Sequence, residues 1–589
     1  MTAGLGMPAA HDAASSSGSV HPDEVTLLES RGWSAASVAC EPKIVALRAL
    51  ADLAAPEPVP SVSYQSRGNV LVVAGGDAQR ARNAAQALTS RLHVTLLEAE
   101  PGEPAPGIQC WSGRIEEATG FLGEFSIALA QLRTTPGAVA PAKPAAAKFD
   151  LVLDLGDKPL FAMRQPPQGY FRPASAEEPL GDLLEEIGSA VGEFEKPRFF
   201  TYRDSICAHS RSQVVGCDAC IRICSTAAIS PDGDHVKVDP HLCMGCGACA
   251  TVCPSGAMGY QYPRVADRGA QIKHLMAAHR AAGGAEACIV FHNGHDARAL
   301  LASAAASGHG LPARALPLEA WHVAAIGLDL MLPAIAFGAS QVVVLTAGSE
   351  DREYLDALRH QMAIGQTILS ALGYEGIHFA VIEASTPHAV ASRFAALAPA
   401  RTVATPATFH VGNDKRTAIE FAVEHLAKQA PHPVESIALP PESPFGEVRV
   451  DREKCTMCMA CVGACPESAL MDGVDKPLLK FIERNCVQCG LCEGTCPEEA
   501  ITLSPRLLLT PAVREARVLN ETVPFHCISC GKAFGTKQMV DAMTGRLAAH
   551  SMFTQGSALR RLQMCADCRV VDMMSSKDEM SILKLGSGS

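Results

Sequence analysis

The sequence predicts a multidomain protein of mixed class, in which α/β regions alternate with smaller α+β modules. Three observations lead to this prediction. The chain has 589 residues, which is enough for several domains. Of its 23 cysteines, 20 fall into three groups, and outside these groups apolar strand-like runs alternate with helical stretches. Because 48% of the residues are hydrophobic, we expect most of the chain to be folded.

Charge and hydropathy exclude several classes of partner and location. Lys and Arg number 50 and Asp and Glu 62, and the net charge of −12 argues against nucleic acid and anionic membrane surfaces as partners. Residues 1–24 lack a basic segment followed by an apolar core, and polar residues or proline interrupt the most apolar stretch, 323–345. We therefore expect no membrane span and a cytoplasmic location, where 23 cysteines indicate metal binding or catalysis rather than disulfides.

Six segments are expected along the chain. A largely flexible N-terminal region precedes a first α/β region and a first cysteine module. A central α/β region, a second cysteine module and a C-terminal segment with four cysteines follow. The expected limits of these segments are 1–60, 61–195, 196–264, 265–440, 441–512 and 513–585.

The first α/β region begins as a βαβ unit. Strands are expected at 69–76, 94–98 and 149–155, with a helix at 78–92. The first strand ends in Gly75-Gly76 but lacks the G-x-G-x-x-G pattern of dinucleotide sites. A degenerate Rossmann-like scaffold is therefore favoured over a nucleotide or flavin site. The stretch 101–148 predicts one polar helix, and its end, 134–148, predicts a linker.

The second cysteine module repeats the pattern C-x2-C-x2-C-x3-C-P, once in Cys455–Pro466 and once in Cys486–Pro497. Three thiolates at this spacing wrap one face of a cubane cluster, and the fourth ligates the neighbouring cluster. An all-thiolate set suits iron–sulfur or zinc, but zinc sites usually show two C-x2–4-C pairs. The spacing therefore predicts two [4Fe–4S] clusters.

This module resembles bacterial-type ferredoxins with two [4Fe–4S] clusters. The resemblance implies that each cluster takes three ligands from one copy of the pattern and one from the other. One cluster would be held by Cys455, Cys458, Cys461 and Cys496, and its neighbour by Cys486, Cys489, Cys492 and Cys465.

The first cysteine module has the same plan with two departures. Nine residues separate Cys207 from Cys217, and Ser225 replaces the proline of the pattern. His209 lies in the long gap, where a hydrogen-bonding or solvent-facing role is favoured over ligation because four cysteines are already present. By the same exchange, the two ligand sets are Cys207, Cys217, Cys220 and Cys253, and Cys243, Cys246, Cys249 and Cys224.

A further repeat links the four half-motifs. Five residues after the last cysteine of each comes an apolar residue preceded by alanine. We expect each of these residues to begin a short strand that packs over a cluster and excludes water. The four residues are Ile229, Met258, Leu470 and Ile501.

The third cysteine group consists of two C-x2-C knuckles with a predicted helix, 538–549, between them. Two knuckles make a tetrahedral S4 site, so a zinc-ribbon-like segment with one structural zinc is favoured. A single rubredoxin-like iron, a fifth cluster and a catalytic dithiol are the alternatives. The four cysteines are Cys527, Cys530, Cys565 and Cys568. The remaining three, Cys40, Cys110 and Cys288, stand alone and are expected to be buried structural residues.

The central α/β region is also expected to be Rossmann-like. Strands are predicted at 287–291, 313–318, 341–346 and 377–383, and helices at 296–306, 321–337 and 351–372. This alternation implies a mostly parallel sheet. The order of elements and the segment 337–345 resemble the small iron–sulfur (delta) subunit of hydrogenase and heterodisulfide reductase complexes. That family's cysteine cluster near the first strand is absent, and only Cys288 remains there. We therefore expect a docking or spacer domain.

Four clusters in two modules indicate a protein that relays single electrons to or from a protein redox partner. The chain contains no Walker A, G-x-S-x-G or H-E-x-x-H pattern, so a stand-alone enzyme is less favoured. The whole architecture resembles polyferredoxin-like proteins encoded beside bacterial molybdenum formate dehydrogenases. This resemblance implies a formate dehydrogenase as redox partner, or alternatively an accessory role in its maturation. A third hypothesis is an oxidoreductase with its own flavin or nucleotide on residues 69–155.

Overall fold

The computed structural model of the chain describes residues 41–100, 102–134, 146–307, 310–474, 476–550, 553 and 556–575. Three of the sequence predictions fall at least partly outside these residues: the flexible segment 1–40, Cys40, and residues 135–145 of the predicted linker.

The first α/β region is built on a seven-stranded mixed sheet. Its parallel centre is formed by runs of Val and Leu that are buried on both faces. The helix Ala78–Leu88 connects two of these parallel strands, and Asp77 caps it by accepting from the N–H of Arg80. In spatial order the strands are Ala147–Phe149, Phe125–Thr134, Ile108–Thr119, His93–Glu98, Asn69–Val73, Leu151–Asp154 and Tyr170–Phe171.

The predicted polar helix in 101–148 is wrong. Two long antiparallel strands, Ile108–Thr119 and Phe125–Thr134, lie there instead. Apolar residues alternate along the second strand, and this two-residue period places one face of the strand in the core. The region contains one βαβ unit, Asn69–Glu98, and its sheet ends in an antiparallel edge on one side.

Two further elements complete this region. The helix Gly181–Ser189 packs near the crossover helix. The strands Ser61–Ser66 and Gly192–Pro197 form an antiparallel ribbon that leads directly to the first cysteine module.

Part of the N-terminal region predicted to be flexible is ordered. The helix Glu41–Ala49 packs against the central helix Val265–Ala281 and buries Ala46 and Leu47. The Lys43 ammonium donates to the carbonyl of Pro312 at 3.1 Å. The prediction for residues 1–60 is therefore wrong for residues 41–53, whose few apolar side chains contribute to the central core.

The central α/β region is a four-stranded, all-parallel sheet, which confirms the predicted strand direction. Helices cover both faces, so alternate residues of each strand enter two separate cores. In spatial order the strands are Ala315–Ala320, Cys288–Asn293, Gln341–Thr346 and Phe379–Glu383. The helices on one face are Val265–Ala281, Leu328–Ala336, Arg352–Ala371 and Lys415–Lys428, and those on the other are Asp296–Ala306 and Pro387–Ala395.

The helix predicted at 321–337 is interrupted. A single 3-10 turn, Val323–Ala325, precedes the α-helix Leu328–Ala336, and Gly327 between them has an extended backbone. The turn is held against the first cysteine module, because the Thr251 hydroxyl donates to the carbonyl of Ala324 at 2.6 Å.

Both cysteine modules are small α+β units of two hairpin-like strand pairs and two short helices. The first contains the strands Phe200–Tyr202, Met258–Tyr260, Ile229–Asp232 and His235–Val238 and the helices Ala219–Ile223 and Ala248–Val252. The second contains the strands Gly446–Val450, Ile501–Leu508, Leu470–Met471 and Leu478–Phe481 and the helices Ala460–Ala464 and Leu491–Thr495. The flanking strands Ser436–Ala438 and Arg517–Glu521 extend the sheets of the second module.

The four predicted strand starts are confirmed. Each apolar residue of the repeat is the first residue of a strand, and each is buried. They are Ile229, Met258, Leu470 and Ile501.

The C-terminal segment combines a hairpin with helices. The strands Pro524–His526 and Ala533–Thr536 flank the first knuckle, and the helix Lys537–Leu547 confirms the one predicted between the knuckles. The second knuckle lies at the start of the helix Ala566–Ser575 rather than in a second hairpin. The β-hairpin that a zinc ribbon would have at each knuckle is therefore present only at the first pair of cysteines.

No helix in the described ranges combines the length and apolar character that crossing a membrane requires.

Lys415 joins the central α/β region to the first cysteine module. It is the first residue of the helix Lys415–Lys428, and its ammonium is buried. This group donates to the carbonyls of Ala250, Thr251 and Cys253 at 2.6–2.9 Å. The contact places a cation at the C-terminal end of the module helix Ala248–Val252, where a positive charge is favourable.

Replacing this lysine should weaken the fold. In Lys415→Met, carbonyls that Lys415 satisfies would lose their donor, and we expect the free energy of unfolding to fall by about 1–3 kcal/mol. Lys428→Met is the matched control, because Lys428 is on the same helix and is exposed in an (i, i+4) pair with Glu424. Anaerobic denaturant titration measures both variants, and equal stabilities would contradict the role given to Lys415.

Candidate metal centres

The first cysteine module collects its eight cysteines into two groups of four. Burial raises the pKa of Cys220 and of Cys249, and neighbouring thiols raise both further: three act on Cys220, and four, among them Cys220, act on Cys249. Apart from Cys220 beside Cys249, those neighbours complete the groups. The Cys217 group is Cys207, Cys217, Cys220 and Cys253, and the Cys246 group is Cys243, Cys246, Cys249 and Cys224.

The second cysteine module shows the same arrangement. Burial raises the pKa of Cys461 to about 12 and also raises that of Cys492. Three neighbouring thiols add to the shift of Cys461, and four, among them Cys461, add to that of Cys492. The Cys458 group is Cys455, Cys458, Cys461 and Cys496, and the Cys489 group is Cys486, Cys489, Cys492 and Cys465.

Each group takes three cysteines from one half-motif and one from the other, as the resemblance to two-cluster ferredoxins implied. Within a module the two groups adjoin, because Cys249 also interacts with Cys220, and Cys492 with Cys461. The assignment of each group to one cluster stays a prediction.

The backbone repeats a turn after each half-motif. The third residue beyond the last cysteine has a positive φ in all four cases, although only one of these residues is glycine. In three of the four half-motifs, an N–H just after this residue points at the sulfur of that cysteine, at 3.2–3.4 Å. Amide donors to sulfur stabilise a cluster's more negative reduced state. The four residues are Ala227, Gly256, Ser468 and Glu499.

Three cations from outside the cysteine-rich loops lie against them. Lys415 holds the carbonyl of Cys253, as described above. Lys196 donates to the carbonyl of Cys243 at 2.7 Å, and Arg416 donates to that of Cys486 at 3.1 Å. Carboxylates also act on these cations: Asp239 on Lys196, Asp329 on Lys415, and Glu467, Glu420 and Asp414 on Arg416. Burial lowers the pKa of Lys196 to about 8, opposed by Cys243 and Asp239.

These cations are the test of whether the cysteine groups fit iron–sulfur clusters. Lys196 and Lys415 are buried and Arg416 is half-buried, and positive charge beside the loops favours negative charge within them. Four thiolates around a cubane supply that charge, and their sulfur donors suit iron. The residues present therefore fit clusters at these positions.

Ser225, which replaces the proline of the cysteine pattern, connects three parts of the chain. Its hydroxyl donates to Gln165 of the first α/β region at 3.0 Å and accepts from the hydroxyl of Tyr354 in the central region. Tyr354 also reaches Cys246: burial raises the pKa of this thiol to about 11, while the Tyr354 hydroxyl favours its thiolate. No sequence pattern singles out Tyr354, which lies on the buried face of the helix Arg352–Ala371.

His209 makes the hydrogen bond expected of it. The side chain is buried, and Nδ1 lies 2.9 Å from the carbonyl oxygen of Cys217. It therefore fixes the start of the C-x2-C loop after the long gap.

The C-terminal cysteines form a compact tetrad. The sulfurs of Cys527, Cys530, Cys565 and Cys568 all lie within 4.8 Å of one another, and no other group of cysteines in the described ranges is this tight. Cys530 Sγ and Cys565 Sγ are 3.8 Å apart. Burial opposes ionisation of Cys527, but N–H donors of Cys565, Cys530 and Ser529 outweigh it and lower its pKa to about 6. A thiolate at this position is suited to bind a metal ion.

Two isolated cysteines are buried, as predicted. Cys110 lies in the first α/β region, and Cys288 lies in a core of the central region. Burial raises the pKa of Cys288 to about 12, so this thiol is neutral.

Comparison with known families matches only the cysteine modules. Residues 215–257 match the family described as 4Fe-4S dicluster domain. Residues 448–471 and 479–502 match the family described as 4Fe-4S binding domain. No match was found among curated proteins. The chain therefore carries two ferredoxin-type regions, and of the sixteen module cysteines only Cys207, beyond the long gap, lies outside the matched residues.

Removing one cysteine of a group should remove one cluster. We expect Cys458→Ala to lose about four irons per chain together with one reduced-state EPR signal. Cys110→Ala is the control, since this buried thiol belongs to no group. Anaerobic iron analysis distinguishes the two variants, and full iron retention in Cys458→Ala would contradict the ligand assignment.

Tyr354→Phe should lower one reduction potential without loss of iron. The Tyr354 hydroxyl favours the Cys246 thiolate, and removing it disfavours the more negative reduced state. Tyr374→Phe serves as control, because its hydroxyl donates to the carbonyl of Leu426, at 3.0 Å, in the same region. EPR-monitored redox titration of both variants measures the shift, and a potential unchanged from the parent in Tyr354→Phe would refute the role of this hydroxyl.

Proposed function

We propose that this protein carries four [4Fe–4S] clusters and relays single electrons to or from a partner oxidoreductase. The observation that carries the proposal is the collection of sixteen cysteines into four groups beside buried cations. A bound cluster accepts and releases one electron at a time. The chain itself supplies position, burial and hydrogen bonds, and these tune the potential.

The four ligand sets of this proposal are the Cys217, Cys246, Cys458 and Cys489 groups. The interactions between their thiols support these sets, because Cys220 and Cys461 each interact with three thiols that complete a set drawn from both halves of the module. The repeated N–H donors to Cys253, Cys465 and Cys496 support the same sets.

We assign the C-terminal tetrad to one structural zinc ion. In a tetrahedral site with Zn–S bonds of about 2.3 Å, two sulfurs are about 3.8 Å apart. The Cys530–Cys565 separation of 3.8 Å agrees with one central ion. A cubane needs a wider set of sulfurs, and the tightness of the tetrad therefore disfavours a fifth cluster.

A flavin or nucleotide on residues 69–155 has little support in the geometry. A Cβ at Gly75 would lie 2.1 Å from the carbonyl oxygen of Leu155, so this glycine serves close packing of neighbouring chain segments. The N-terminus of the following helix is already capped by the Asp77 carboxylate. A phosphate at that position would meet a negative charge.

The partner we propose is a formate dehydrogenase, from the resemblance of the whole architecture to polyferredoxin-like proteins encoded beside such enzymes. The alternative is an accessory role in maturation of that enzyme. The arrangement of the cysteine groups favours the relay, since redox centres are what a relay requires.

Deletion of the gene separates these two roles. Loss of a relay should abolish formate-dependent reduction of the physiological acceptor and spare formate oxidation with an artificial dye. Complementation with Cys110→Ala should restore the physiological reaction, whereas Cys458→Ala should restore little of it. Loss of dye-linked activity on deletion would instead support the maturation role.

A further inference from the structure

The nine-residue gap between Cys207 and Cys217 forms an arm that reaches the second cysteine module. Its strands Ser210–Arg211 and Val214–Val215 pair as a short hairpin. The hairpin lies against the helix Leu491–Thr495, which follows Cys489 in the second module. Val214 is so close that a Cβ added at Gly494 would lie 3.2 Å from its side chain.

The contact between the modules is apolar. Ala208 of the first module meets Ala464, Val487 and Leu491 of the second, and all four side chains are buried. Leu491 is completely buried. Water is therefore excluded from the space between the modules.

Gly216 allows this close approach. A Cβ at this position would lie 2.6 Å from Leu491 Cγ and 2.8 Å from the carbonyl oxygen of Ala208. Any side chain here would push the two modules apart.

Cys217 and Cys489 border the contact from opposite sides. Both pack at the edge of the apolar cluster. The Cys217 and Cys489 groups are therefore the two inner groups, and the Cys246 and Cys458 groups lie beyond them.

We propose that the hairpin 210–215 is a coupling element that makes the two modules one electron-transfer unit. It holds the inner groups together across a dry contact, so that electrons cross between modules inside the chain. An electron that crosses the protein would pass the four cysteine groups in the order Cys246, Cys217, Cys489 and Cys458. One electron leaves the centre at one inner group and reduces the centre at the other, with no proton or bond transferred.

This inference rests on the proposed function, and it explains a departure that the metal sites do not require. In the second module, only two residues separate the corresponding cysteines, Cys455 and Cys458. The longer gap is therefore an addition whose contacts lie on the other module. Electron tunnelling slows steeply with distance, and an element that fixes this distance controls transfer between the modules.

The test uses the full chain with the two outer groups removed by Cys246→Ala and Cys458→Ala. About eight irons should remain, with one centre in each module. Reduced [4Fe–4S] centres are paramagnetic, so two centres held close together should give a broadened, spin-coupled EPR signal. Two narrow, independent signals with eight irons present would overturn the inference and leave the proposed function standing. Absence of iron from the unaltered chain would overturn the proposed function itself.

A matched pair of substitutions tests the hairpin directly. Val214→Asp puts a carboxylate into the apolar contact, whereas Val215 is the next residue of the same strand and is 64% exposed. At equal iron content, we expect Val214→Asp to abolish the spin coupling and Val215→Asp to retain it. Coupling that survives Val214→Asp would overturn the role of the hairpin. If the doubly substituted background does not fold, the same pair is compared in the otherwise unaltered, fully reduced chain. There Val214→Asp should leave only the coupling within each module, Val215→Asp should leave the signal unchanged, and identical signals from the two variants would overturn the role of the hairpin.

Discussion

Burying negative charge is the constraint on which this architecture depends. Clusters held by four thiolates carry negative charge, and the cations that lie against the cysteine-rich loops do not come from those loops. Lys196 of the first α/β region and Lys415 and Arg416 of the central region provide them instead. Each cation is fixed by carbonyls of the loop it serves, so the charge is positioned as well as present.

Assembly of the chain and loading of the clusters are therefore coupled. Negative charge at the loops would add to the carboxylates that already compensate the three cations. A cofactor that binds only the folded chain stabilises that chain by mass action. This gives the α/β regions a role although they contain no recognised cofactor motif: they supply counter-charge and hold the modules in place.

The departures from the cysteine pattern have a separate role from the pattern itself. The regular spacings gather sulfurs, and the irregular positions make contacts between parts of the chain. Ser225 stands where the pattern has proline, and it links Gln165 to Tyr354 across two regions. The long gap before Cys217 reaches the second module. Variation in a metal-binding motif thus marks the surface through which the module is docked.

Sequence reasoning succeeded where the determinants are local. The spacing of the cysteines gave groups that the fold brings together, and the strand starts at Ile229 and Leu470 followed from a short repeat. The parallel central sheet followed from alternation of helices and strands. It failed where distant residues decide: Tyr354 and Lys415 act on cysteine loops more than 100 residues away in the sequence.

The errors have the same physical origin. The strands Ile108–Thr119 and Phe125–Thr134 were read as a polar helix because their composition is mixed, whereas pairing along a sheet edge determines their conformation. The helix Glu41–Ala49 is held by a core formed from residues beyond 265. Neither contact leaves a periodic signal in the segment concerned.

The most direct test of the central claim is the metal and sulfide content of anaerobically purified protein. Four clusters and one tetrahedral ion require about sixteen irons, about sixteen sulfides and about one zinc per chain. That result would support the assignment of all twenty grouped cysteines. Intact chain holding about eight irons or fewer, or zinc in place of iron in the modules, would contradict it.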